Sequence, residues 1–509
     1  MSDTTRTQKA AKNYMFFILG NITVYVTTFI MQTLFIYYLG TEYNGVKGLF
    51  SSILGTLSLA ELGIGTAISF SLYSPLANGD KKKIQALIKF YKTAYRYVAL
   101  VVGLIGIALI PFLRFIINGG ENIKHITVIY LLYLADTVLS YLVIYKSTIL
   151  EADQKAYIMT NIYSVSNIVI LIVQSLVIVL FKNFILYLVV QVILGFISKL
   201  IVNYSVNKYY PYLKEKDGPT LSEEEKKTIF TKIKALVVHK VGVVTITQTD
   251  NIIMSAFINI TTVGICANFT MIIKIIDSLV TGFFVASAPG LGNVVATESD
   301  EKKLEIFKLY DFLGFILFGW SAICLYFLLI PFVTVWIGGD KLIDSLSVFL
   351  LCLNYYLTGQ RISPTNMKVA AGIVEQDAPL SIVESIVNIV VSIVCVRYFG
   401  LPGIFVGTFI SGLIQDIGKP VVLYKYLFRR SSNKYFVRYV LRIVALALAC
   451  LVIASVKHFI VISNLIAALA VDFLLCAVIP LLVFAVLYSR SHEWKYCVSV
   501  VKKTLRLQK

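Results

Sequence analysis

Some fourteen apolar stretches follow one another along the chain with little between them, and their length limits what the chain can become. A membrane-crossing helix needs about 20 mostly apolar residues. The stretches place spans near 13–39, 48–73, 90–117, 124–148, 158–181, 184–206, 234–259, 264–290, 306–335, 344–362, 379–398, 402–424, 437–457 and 464–488. Charged residues make up 15% of the 509 and apolar ones 58%. A soluble domain carries roughly 25% charged residues, so this surface is one for lipid. The first stretch is too long for a signal sequence and has no small-residue cleavage motif, so it reads as an uncleaved helix.

The net charge of +18 is explained by where the cations fall. With the N-terminus cytoplasmic, inner segments hold 36 Lys and Arg and outer loops hold seven. Arg96, Lys240 and Lys274 lie inside spans. An excess that alternates loop by loop is the positive-inside pattern, and it predicts a multi-pass protein of the cytoplasmic membrane with both termini cytoplasmic. Attraction to anionic membrane lipid is a secondary consequence, and nucleic acid finds no support as a partner. No extramembrane segment is large enough to bury its own core. The seven cysteines and four histidines are scattered without ligand spacing, so neither a disulfide framework nor a metal site is expected.

The two halves repeat at an offset of 219–222 residues. LIPFLRFIINGG (109–120) returns as LIPFVTVWIGG (329–339), and GDKKKIQALIKFY (79–91) as SDEKKLEIFKLYD (299–311). Six spans per repeat insert both units the same way up. The expected fold is therefore an all-α polytopic membrane protein with two parallel six-helix lobes and a C-terminal helix pair. Its divisions are a cytoplasmic N-tail (1–12), an N-lobe (13–210), a cytoplasmic linker (211–232), a C-lobe (233–430), helices 13 and 14 (431–488) and a cytoplasmic C-tail (489–509). Two such lobes around a cleft is the architecture of an alternating-access transporter.

A charge at membrane depth costs roughly 2.5–3.5 kcal/mol on insertion scales, so each one needs a reason. Glu61, Asp136, Asp250, Lys274 and Asp277 fall near the midplane, while Arg96, Lys240 and Glu384 lie near cytoplasmic ends, where snorkelling competes. Asn21, Tyr25, Thr28 and Gln32 share one face of the first helix, and the repeat offset carries that stripe onto Lys240, Thr247 and Asn251 of the seventh. Matching stripes suit opposite walls of a wet cleft, and the competing use is hydrogen bonding between helices within each lobe. Lys274 and Asp277 are three apart and able to pair with each other. Lys274 is the best candidate to meet an anionic substrate if it faces the cleft. Asp250, Asp277 and Asp136 are candidates to carry a coupling proton or sodium ion, and no cofactor is otherwise expected.

The segment LGTEYNGVKGLFSSILGTLSLAELGIGTAISFSLYSPLANGDKKKI (39–84), with its acidic residue followed by Gly-Ile-Gly-Thr, resembles a known family. It is similar to the polysaccharide-transport branch of the multidrug/oligosaccharidyl-lipid/polysaccharide exporter (MOP) superfamily, which also contains the multidrug exporters called MATE. YFGLPGIFVGTFIS (398–411) and PVVLYKYLF (420–428) fit the same family. The resemblance implies two six-helix lobes about a cavity lined by helices 1, 2, 7 and 8, which adds weight to Gln32, Lys240, Asn251 and Lys274. It implies a bacterial flippase for undecaprenyl-pyrophosphate-linked oligosaccharide in capsule, exopolysaccharide or O-antigen assembly. Partners would be membrane lipid, the lipid-linked substrate, a polysaccharide polymerase and other assembly proteins. Relatives that flip the peptidoglycan precursor carry several cavity arginines, whereas the central candidates here are lysines, with Arg96 the only arginine counted within a span.

Three functions are weighed on these residues. A flippase would use cleft cations for pyrophosphate and Asn, Gln, Thr and Tyr for sugars. A drug/cation antiporter of the same superfamily would need an acidic, aromatic cavity. A membrane-embedded polymerase or glycosyltransferase would need sizeable outer loops to build a catalytic site, and every outer loop is short, so no enzyme is expected.

Overall fold

The computed structural model describes residues 3–61, 64–121, 123–214, 219–373, 376, 378–460 and 462–506, with the side chains of 3–21, 234–246 and a few other helical positions outside the description. The chain is helical throughout, and no strand occurs among the described residues. Lipid offers nothing to pair with backbone N–H and C=O, so helices that satisfy both internally are what these apolar stretches must form.

In order the helices are α1 (Asp3–Leu57), α2 (Ile64–Ala77), α3 (Lys81–Leu109), α4 (Leu113–Ile116), α5 (Ile126–Ile144), α6 (Thr148–Ala152), α7 (Ala156–Phe181), α8 (Phe184–Tyr209), α9 (Glu223–Phe257), α10 (Ile260–Thr297), α11 (Asp300–Ile337), α12 (Ser345–Gln360), α13 (Ile362–Ala370), α14 (Ala378–Phe399), α15 (Leu401–Leu423), α16 (Asn433–Phe459), α17 (Leu465–Tyr488) and α18 (His492–Arg506). Among the described residues, eleven helical segments are long and apolar enough to cross a membrane. For the second and tenth spans the difference from fourteen has a structural cause, while much of the seventh lies outside the described side chains. α1 holds the first span and half of the second, broken at Gly40, whose φ of 89° and ψ of 175° suit a residue without Cβ. The rest of the second span is α2, reached through a 3-10 turn at Ser58–Glu61. α12, with 16 residues, covers the tenth span, and α9 covers the seventh.

The chain divides into two compact units, residues 24–264 and residues 265–509 with 1–23. In the first, α3, α5 and α8 pack in succession, α7 lies on α8, and α2 lies against α3, α6 and α9. Phe35, Phe50, Tyr91 and Tyr130 are fully buried at its centre. The second half of α1 meets the start of α10 with no room for side chains. A Cβ on Gly45 would strike the Ile260 carbonyl, and one on Gly264 the Thr41 carbonyl. Small residues at crossings are how membrane helices gain contact without a hydrophobic driving force.

In the second unit α14 and α15 form a hairpin, and α11 is the central helix, packed on α12, α13, α16 and α17. Phe307, Phe315, Phe318, Tyr356, Tyr435 and Phe484 fill its interior. The repeat is visible in how two helices begin. Asp80 caps α3 by accepting from Lys83 N–H at 2.9 Å, and Ser299 caps α11 by accepting from Lys302 N–H at 3.4 Å. Both repeats also turn on a glycine with positive φ, Gly119 at 71° and Gly338 at 98°.

Candidate functional site

In the first unit the most site-like group is Glu61, in the 3-10 turn where the second span breaks. Its Oε1 accepts a hydrogen bond from the Tyr95 hydroxyl at 3.0 Å, and Tyr141 hydrogen-bonds to the same carboxyl. The two rings, from α3 and α5, lie 6.3 Å apart. Gly65 lies beside this group, where a Cβ would stand 3.4 Å from the Tyr95 hydroxyl, an ordinary contact. Glu61 is half-buried. A carboxyl group that accepts from two phenols makes an acidic, aromatic niche of the kind that can take up a cation.

Several candidates from the polar stripes hold helices together. Gln32 is buried and donates to Asn44 Oδ1 at 3.0 Å, and Asn44 donates to the Gly264 carbonyl at 2.8 Å. That relay braces α1 on both sides of the Gly40 break and fastens it to α10. Asn251 of α9 donates to Ser52 Oγ at 3.0 Å. Thr247 is exposed and accepts from Gln248 at 3.4 Å. Tyr25, Thr28 and Asp250 are half-buried, and Arg96 is exposed on α3. The side chains of Asn21 and Lys240 lie outside the described residues.

Asp136 of α5 is paired with Lys199 of α8 at 3.2 Å, and the Ser140 hydroxyl receives a hydrogen bond from the same ammonium at 2.5 Å. In the second unit, Lys274 stands exposed on α10. No ion pair joins it to Asp277 among the described residues, despite their spacing; Asp277 is hydrogen-bonded instead to Thr281, one turn on.

Two buried ion-pair groups were not legible in the sequence. Arg361, at the end of α12, donates through Nε to Asp416 at 2.6 Å and through Nη1 to Glu384 at 3.0 Å. Gln415 donates to the other oxygen of Glu384 and to Ser381 at 3.2 Å. Arg442 of α16 donates to Asp311 of α11 at 2.6 Å, with side-chain exposures of 4% and 1%. By sequence Arg361 and Arg442 fall among the inner-segment cations, yet both are enclosed with carboxylate partners. The repeat offset does not superpose the paired residues, since it carries Asp136 onto Tyr356, but it does relate the helices that are paired. The fourth and sixth helices of each half are fastened by an ion pair, α5 to α8 by Asp136–Lys199 and α12 to α15 by Arg361–Asp416, with the charges exchanged. Asp472 is paired as well, with Lys457 at 2.7 Å. Among the described residues no group of three or more His, Cys, Asp or Glu is placed to hold a metal ion.

No protein-family model matches the chain, and no curated protein matches it. Solved structures do. The lipid II flippase MurJ in an inward closed conformation superposes with a TM-score of 0.67 at 16% identity, covering 94% of this chain and 99% of that one. An inward-facing multidrug-resistance MATE family transporter of the MOP superfamily gives 0.63 at 14% identity, covering 79% and 94%. A point mutant of the Vibrio cholerae MATE transporter VcmN gives 0.57 at 14% identity, covering 85% and 100%. The fold is thus that of MOP superfamily transporters.

Proposed function

We propose that this membrane protein is a flippase for lipid-linked, pyrophosphate-bearing oligosaccharide, working by alternating access of its two halves. The observation that carries the reading is the extent of the likeness to the lipid II flippase. Residues up to 432 make up about 85% of the chain, so a match over 94% has to include part of the C-terminal pair α16–α17. That pair is built into the second unit by the buried Arg442–Asp311 bond, which suits a permanent part of the machine.

In this reading Lys274, a cation with no ion pair to Asp277 among the described residues, meets the pyrophosphate, and Lys240 is the other candidate for that role. Asn251, Thr247, Thr28, Tyr25 and Asn21 serve the sugars, and the lipid tail stays in the bilayer. Gln32 acts through Asn44 by holding the bend of α1. The glycan is that of a capsule, exopolysaccharide or O-antigen, with a polymerase as the neighbouring activity in a bacterial cytoplasmic membrane. A proton or sodium ion would couple at Glu61, which Tyr95 and Tyr141 hold in place by hydrogen bonds. Asp250 and Asp277 are the other candidates, while Asp136 is already engaged by Lys199.

The same Glu61–Tyr95–Tyr141 cluster favours a second reading, a drug/cation antiporter, because an acidic and aromatic niche suits an organic cation. Translocation of a polyprenyl-pyrophosphate oligosaccharide in proteoliposomes separates the two. The flippase reading expects transport by the intact protein, reduced about tenfold or more in Lys274→Ala, as for loss of one charge-assisted contact. Folded protein that moves no lipid-linked donor but exchanges an organic cation for protons, with Glu61→Gln inactive, would establish the antiporter instead.

A further inference from the structure

The last helix, α18, belongs to neither lobe's set of spans and has no role in transport as read above. It begins after a short turn at the end of α17, where the Ser491 hydroxyl accepts from the backbone N–H of Trp494 at 3.1 Å. In its sequence HEWKYCVSVVKKTLR, positions 494, 497, 498, 501 and 505 are apolar at helical spacing, and positions 495, 499, 502 and 506 are Lys, Ser, Lys and Arg. Lys495 and Lys502 are exposed, while Trp494, Cys497 and Val498 are half-buried, and α18 touches α11.

Neighbouring helix ends of the same unit add to this charge. The Arg430–Glu301 pair at 3.3 Å ties the start of α16 to the start of α11. Tyr488, at the end of α17, packs on Phe312 and Phe315 of α11. The end of the unit so defined carries exposed Lys425, Arg429, Lys434 and Arg490, none of them in an ion pair among the described residues.

We propose that α18 is an interfacial helix that binds anionic phospholipid headgroups. Its cations and those of the adjacent helix ends form one phosphate-binding face, and its apolar side rests at the boundary between headgroups and acyl chains. Three observations converge on lipid as the occupant. α18 leaves a membrane-crossing helix through a short turn, which holds it at the bilayer surface. Its two faces have the chemistry of the two layers it would lie between. The surrounding cations are unneutralised, and anionic lipid is the counter-charge present at that depth. A soluble acidic protein or nucleic acid would use the cations but not the still-accessible part of the apolar side.

The test is hydrogen–deuterium exchange of the full-length protein in nanodiscs of phosphatidylcholine alone or with phosphatidylglycerol. Amides of residues 492–506 should be protected more strongly in the anionic discs, and high salt should remove the difference. Each lysine near the surface contributes about fivefold, so Lys495→Gln with Lys502→Gln should lower the protection about twenty-five-fold. Exchange in α11 and α17 should not change, which controls for folding. Equal protection in both lipids, or protection indifferent to the two substitutions, would overturn the proposal. Full protection already in lipid-free detergent would overturn it as well, assigning the apolar side to α11 if independent of protein concentration and to a second copy if dependent on it.

Discussion

Removing Arg442 should destabilise the second unit more than most single changes in this chain, and removing Asp311 with it should restore most of the loss. The pair is almost fully enclosed, at 4% and 1% exposure, and its donor–acceptor distance is 2.6 Å. Arg442→Leu removes the guanidinium that lies over the rings of Phe312 and Phe315 and leaves the Asp311 carboxylate buried without its cation. An uncompensated buried charge of this kind costs about 3–5 kcal/mol, whereas replacing both members of a buried pair by apolar groups of similar volume is often neutral. The double variant Arg442→Leu/Asp311→Leu should therefore lie within about 1.5 kcal/mol of the unmodified protein, as a well-filled apolar swap does. The measurement is an equilibrium unfolding titration in mixed micelles, followed by the fluorescence of Trp320, which donates to the Ala477 carbonyl of α17 at 3.2 Å and so reports the α11–α17 seam. The double-mutant cycle gives the coupling directly. Two outcomes refute the reasoning: an Arg442→Leu loss under about 1 kcal/mol, the usual worth of an exposed pair, or a double-variant loss equal to the sum of the singles.

Two further outcomes follow from other parts of the molecule. Gly45→Val should prevent α1 from closing on α10, since the new Cβ would overlap the Ile260 carbonyl; a thermal midpoint in detergent that matches the unmodified protein would refute this close approach. Asp153, in the turn between α6 and α7, is held below its ordinary value of 3.8: burial pushes it up, but bonding from Lys155 and from the Tyr210 hydroxyl at 2.6 Å outweighs that. A depressed carboxyl contributes stability above its unfolded pKa and loses it as pH falls through the folded value. Asp153→Asn should therefore be less stable at pH 7 and lose less between pH 4 and lower pH, checked by midpoints measured across that range.

The spans were legible in the sequence because burial in lipid is a local property: a run of apolar residues carries its own solvent requirement wherever the rest of the chain goes. Breaks within spans were less so. Gly40 and the glycines after Glu61 stand in the sequence as ordinary membrane-helix glycines, and only the backbone geometry shows that Gly40 turns the chain inside α1 while Glu61 occupies a 3-10 turn. The repeat was legible where capping and turning residues recur, as with Asp80 and Ser299, because those roles act over three or four residues.

The polar stripe of the first helix shows the limit. Its spacing identified one face, but a face can meet water or another helix, and for Gln32 the structure supplied Asn44 and the Gly264 carbonyl. Cations were ambiguous for the same reason. Counting them by segment established which helix ends are basic, yet Arg361 and Arg442 differ from Lys425 and Arg429 only in what packs against them. By itself, the sequence determined an all-helical membrane chain of repeated halves, since hydropathy, helix caps and glycine turns operate over one helix or less. The tertiary structure alone decided which charges are paired, because an ion pair such as Asp311–Arg442 joins groups 131 residues apart, and its existence depends on how whole helices dock.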